Sequence, residues 1–95
     1  MSPEEELSRA RDVEMLLANS YIKEALERIP ATLIEQWRST PVKDVELREK
    51  IWAIYCGAKA FEGVLREFVE SGKMAAIQVE QNKRSWADRA KAAFG

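Results

Sequence analysis

Two carboxylate–cation pairs, Glu46 with Lys50 and Glu62 with Arg66, and one thiol, Cys56, are where reaction chemistry would have to start in this sequence. Each pair is spaced i,i+4, which sets opposite charges side by side on a helix surface. Such groups satisfy one another in solvent, so they read as surface ion pairs and not as a general acid and base. Histidine is absent from all 95 residues. That removes the side chain that titrates near neutrality, the commonest metal ligand and the base of Ser-His and Cys-His nucleophile pairs. The four glycines, Gly57, Gly63, Gly72 and Gly95, are scattered, so there is no glycine-rich phosphate loop. Cys56 is the one cysteine and reads as a small, half-buried helical residue in a reducing compartment. No enzyme is expected, and no catalytic, cofactor-binding or metal-ligating residue.

Fifteen basic residues face sixteen acidic ones, for a net charge of −1. That balance argues against a chain whose task is to neutralise many phosphates. The longest apolar run, Ile51 to Ala58, is far shorter than the roughly 20 residues of a membrane span. Met1 followed by Ser-Pro-Glu-Glu-Glu does not read as a signal sequence. A chain this short buries only somewhat more than roughly 60% of its unfolded surface. Oligomerisation is therefore open from the start.

The spacing of apolar residues predicts an all-α fold: an antiparallel helical hairpin with an additional N-terminal helix and a short C-terminal helix. The hairpin domain spans 1–72, with helices near 3–18, 20–38 and 44–71, and a helical tail spans 73–95. Ser2, Pro3 and Glu5 form a capping-box start, and Ser20 is the expected cap of the second helix. Ile22, Leu26, Ile29 and Leu33 follow at four-three-four spacing, and Pro30 within them predicts a kink. Pro41 disfavours helix at Thr40, and Asp44 caps the long helix. Gly72 is its expected stop. Its seam is Leu47, Ile51, Ile54, Ala58, Phe61, Leu65 and Phe68, a coiled-coil-like repeat.

Trp37 and Trp52 lie on either side of the Thr40-Pro41 turn. Trp37 is expected to plug the closed end of the hairpin as a core residue. Trp52 projects roughly 140° from the middle of the seam. Beyond the seam, Ala53, Gly57, Ala60 and Val64 form a second stripe of mostly small residues. The apolar arc then spans about 220°, more than one partner helix covers. Trp52, Ala53, Gly57, Ala60 and Val64 are thus the expected self-association surface, unless the N-terminal helix folds back over them. In the tail, Ser85 is the expected cap of a short helix bearing Trp86, Ala90 and Phe94 at i, i+4, i+8. These three fold back on the chain, anchor another protein in a groove, or belong to an unstructured end. Lys83, Arg84, Arg89 and Lys91 lie beside them. They are too few, against an acidic N-terminus, to make nucleic acid or a membrane surface the expected partner.

The stretch from Ala25 to Ala75 resembles small helical proteins encoded in tailed-phage and prophage genomes, among the genes for heads and DNA packaging. The matching features are Leu33-Ile34-Glu35-Gln36-Trp37, Thr40-Pro41 followed by Asp44, Arg48-Glu49 with Trp52, and Gly72-Lys73. The resemblance covers about half the chain and does not include the tail after Gln81. It implies a phage structural or assembly protein that acts by helix packing, in the host cytoplasm during assembly and in the virion. The partners it implies are further copies of the chain or a larger phage structural protein. The alternative it leaves is a DNA-packaging or nucleic-acid adaptor with a small-terminase-like role. It carries no site residues across.

Overall fold

The computed structural model describes residues 1–94, with the side chain of Phe94 outside the description. The described residues are helical almost throughout and include no strand: α1 is Pro3–Ala18, α2 is Ser20–Ser39 and α3 is Val45–Phe94. The all-α expectation is met. So are the starts of α1 and α3. The Ser2 hydroxyl accepts from the Glu5 amide at 3.2 Å and donates to the Glu5 carboxylate at 3.1 Å. The Asp44 carboxylate accepts from the Leu47 amide at 3.2 Å. Both caps occupy amides that helix geometry leaves without a partner.

Three boundaries differ from expectation. Asn19, not Ser20, caps α2: its backbone is extended and its side-chain oxygen accepts from the amides of Tyr21 and Ile22. One residue thus separates α1 from α2, and Ser20 is the first residue of the helix. Second, α3 does not stop at Gly72. Third, it does not restart at Ser85, so the expected separate C-terminal helix is the continuation of α3. Glycine weakens a helix by about 1 kcal/mol relative to alanine but does not forbid it. Pro30 likewise lies inside an uninterrupted α2.

The chain divides into two compact units. One combines Met1–Glu14 with the stretch from Glu67 onward. Here α1 meets α3 through small residues: Ala10, Val13, Gly72 and Ala75 are all buried. A Cβ on Gly72 would overlap the Cβ of Ala10. The glycine expected to end the helix is what lets the other helix approach. Beside it, the Arg9 guanidinium lies 4.0 Å from the centre of the Phe68 ring.

The other unit is Met15–Arg66. Its turn is drawn tight by hydrogen bonds. Thr40 donates its amide to the Gln36 and Trp37 carbonyls and its hydroxyl to Gln36 at 2.7 Å, and the Asp44 amide donates to Pro41 at 2.9 Å. Its core is small. Ile51 is the one buried apolar side chain among this unit's described residues, and Thr40 is buried beside the turn. The expected seam of α3 is only partly covered: Ala58 and Leu65 are half-buried, whereas Leu47, Ile54 and Phe61 are exposed. The covered face instead includes Arg48, Tyr55 and Glu62. It is turned roughly 60° from the middle of the seam.

Candidate interaction surface

The turn sets the register of everything around it. Arg48 lies one turn after the Asp44 cap, which aims its side chain back over the end of α2. Its Nη1 donates to the carbonyls of Trp37 at 3.1 Å and Thr40 at 2.9 Å. Its guanidinium also lies 3.8 Å from the centre of the Trp37 ring. The Trp37 carbonyl is in the last turn of α2 and that of Thr40 is at its C-cap, where few backbone amides remain to meet them. A planar cation satisfies both and covers an aromatic face at once. Trp37 is therefore not the core plug expected of it. It is 37% exposed and is clasped by Arg48 at the surface. The role of Arg48 was not legible from spacing alone, although a cation soon after an N-cap and eleven residues from a tryptophan was the available signal.

Trp52 is 54% exposed and stacks on Tyr55, with ring centres 5.1 Å apart. Trp52 and Ala53 join Trp37, Val42, Val45, Arg48 and Glu49 around an open hollow of about 570 Å³. The remaining residues of the expected self-association stripe, Gly57, Ala60 and Val64, are exposed. Nothing lies within 4 Å of the space a Gly57 Cβ would occupy. A close helix approach is seen at Gly72, where Ala10 fills the space beside the glycine.

The other face of α3 borders a surface the sequence did not single out. A groove of about 310 Å³ runs between α2 and α3, lined by Leu16, Ile22, Ala25, Leu26, Ile29, Pro30, Ala58, Phe61 and Leu65. None of these nine residues is charged. Phe61, at its rim, is 61% exposed. The signal was present in the sequence, since Phe61 and Ile54 belong to the apolar repeat. The repeat alone does not say which part of a face a neighbour leaves bare.

In the tail, Trp86 is 73% exposed and Ala90 is exposed. Trp86 lies on the continuing helix α3. The Phe94 side chain, the third member of that expected anchor, lies outside the described residues. Arg84 is within 3.6 Å of the Glu80 carboxylate. The Cys56 thiol is exposed, not half-buried.

Charge chemistry on the described surface is that of ion pairs. Glu62 accepts from Arg66 at 2.9 and 3.3 Å and from Lys59 at 3.3 Å. The hydrogen bonds from Arg66 first, and from Lys59 next, hold its carboxyl below the usual carboxylate range. Both partners stabilise the ionised form. Glu46 and Lys50 pair at 3.4 Å, as their spacing predicts. No cluster of three or more metal-ligating side chains occurs among the described residues. No helix there is long and apolar enough to cross a membrane. Comparison with protein families, curated proteins and solved structures returns no match to this chain.

Proposed function

We propose that this chain is a small structural or assembly protein of a tailed phage that acts by helix packing and oligomerisation and performs no catalysis. It works in the host cytoplasm during morphogenesis and is carried into the particle. The observation behind the helix-packing reading is the imbalance between core and surface. Among the described residues, Ala10, Val13, Ile51 and Ala75 are the buried apolar ones, while Trp37, Trp52, Ile54, Phe61, Trp86 and other large apolar side chains stay exposed. Exposed apolar area on this scale is characteristic of surfaces that other chains cover. The phage assignment is supported by the resemblance of Ala25 to Ala75.

In this reading α2 and α3 form an antiparallel helical hairpin whose closed end is the Arg48 clasp. Its support is the order of neighbours. Leu33, Ile34 and Trp37 share a hollow with Ile51 and Tyr55, and the earlier Leu26 and Ile29 share the groove with the later Ala58, Phe61 and Leu65. Numbers that fall along one helix as they rise along the other are those of an antiparallel pair.

Mass spectrometry of purified particles tests the reading, together with assembly in a phage lacking the gene. The chain is expected in particles or in their precursors, and assembly should stall without it. Normal particles formed in its absence would overturn the proposal. Binding to DNA in a gel shift that weakens steeply with salt would move the function to DNA packaging.

A further inference from the structure

We infer that the groove between α2 and α3 is the seat of a second copy of this chain, giving a two-fold dimer in which each Phe61 projects into the other copy's groove. The inference deepens the helix-packing part of the proposed function and rests on it. It assigns the first contact to the Phe61 face, not to the stripe of Ala53, Gly57 and Ala60.

Three observations select a second copy as the occupant. The first is that the groove and its projection are on one surface. Phe61 borders an uncharged hollow of about 310 Å³ and is itself 61% exposed. A two-fold contact needs such self-complementarity, because the same patch serves both partners.

The second is spacing. Ile22 and Ile29 on α2 are seven residues apart and exposed. So are Leu47, Ile54 and Phe61 on α3. Residues seven apart stay within about 20° of one another on a helix face. Two neighbouring helices that each expose a seven-residue apolar repeat present half of a four-helix bundle. A partner with the same two repeats completes it.

The third is extent. Ile22, Ile29, Leu47, Ile54 and Phe61 are 36–61% exposed within one unit, more apolar surface than singly scattered residues leave bare.

Sedimentation equilibrium of the full chain, with circular dichroism of every variant, tests the inference. The wild type is expected to be a dimer at micromolar concentration. Phe61→Glu and, separately, Ile29→Glu should each weaken dimerisation at least about thirty-fold, the factor expected of an interface hot spot. Ala60→Glu, on the far side of α3, should change it less than about threefold. If the charged variants lose their helix signal, a benzophenone-bearing phenylalanine at position 61 replaces them. Light should then link it to residues 22–30 of another copy. A wild type that is monomeric at high micromolar concentration overturns the dimer, as do links confined to its own chain. A dimer that tolerates both groove charges but is lost in Gly57→Leu moves the contact to the small-residue stripe and overturns this assignment alone. A chain found in particles yet monomeric in solution defeats the dimer and leaves the assembly reading intact. A dimer lost on Phe61→Glu, from a chain never found in particles, does the reverse.

Discussion

Gly57 and Gly72 are both helical glycines of α3 with opposite surroundings. Nothing approaches the space beside Gly57, whereas the space beside Gly72 is filled by Ala10. Alanine is the better helix former by about 1 kcal/mol. Gly57→Ala should therefore raise the unfolding free energy of the chain by up to about 1 kcal/mol in urea titration. Gly72→Ala gains the same propensity but forces α1 away, at the 1–3 kcal/mol typical of overpacking. A net loss of about 1–2 kcal/mol is expected, and an unchanged or raised midpoint would show that α1 does not pack there. Arg48 is the other decisive single residue. Arg48→Ala removes two hydrogen bonds to the end of α2 and the cover of Trp37, and should cost about 1–3 kcal/mol. Arg48→Lys should recover less than half of that, because a point charge cannot stack and donate in one plane. Trp37→Ala should cost less than the 3–5 kcal/mol of a buried tryptophan, since its ring is partly in solvent. Urea unfolding followed by circular dichroism measures all three.

At the scale of the element, α3 is held partly by its own side chains. Glu62 ties Lys59 before it to Arg66 after it across successive turns. Its carboxyl titrates below the ordinary value of 4.5, chiefly because of the Arg66 hydrogen bonds. A depressed carboxyl contributes stability that is fully present above its unfolded pKa and is lost as pH falls through its folded pKa. The wild type should therefore exceed Glu62→Gln in stability at pH 7, by a modest amount, because the Lys59 and Arg66 partners are largely in solvent. The gap should close as pH drops below about 4.5. Thermal unfolding of both chains at pH 7 and at pH 3 measures it, and an equal gap at the two values would remove the ion cluster from the account. The caps were legible in the sequence because they are local: Ser2 and Asp44 each bond an amide three residues on. The length of α3 was not, because glycine near a charged stretch resembles a stop until another helix is found against it.

At the scale of the whole molecule, a core built on three small or medium side chains and Ile51 gives the isolated chain little margin. Association that occurs only between folded chains adds stability by mass action. The midpoint of thermal unfolding should rise by several degrees between low and high micromolar chain concentration, read by circular dichroism at a fixed heating rate. In the Phe61→Glu chain that dependence should vanish. A midpoint independent of concentration in the wild type would mean that the helices are stable without company.

The sequence by itself determined the helices, two of their caps, the turn at Thr40-Pro41, the surface ion pairs and an apolar arc too wide for one neighbour. All of these depend on residues within a few positions of one another, where periodicity and hydrogen-bond reach are sufficient. Which arc is covered was decided only in three dimensions. Arg48 clasps Trp37, and along α3 Ile51, Tyr55 and Glu62 are covered while Ile54 and Phe61 are left bare. Ala10 meets Gly72, a pairing between residues far apart in the chain that no local pattern encodes. A repeat of apolar residues states that a helix face needs a partner. The rotation of that helix against its neighbours, set by a few long-range contacts, states how much of the face is still waiting for one.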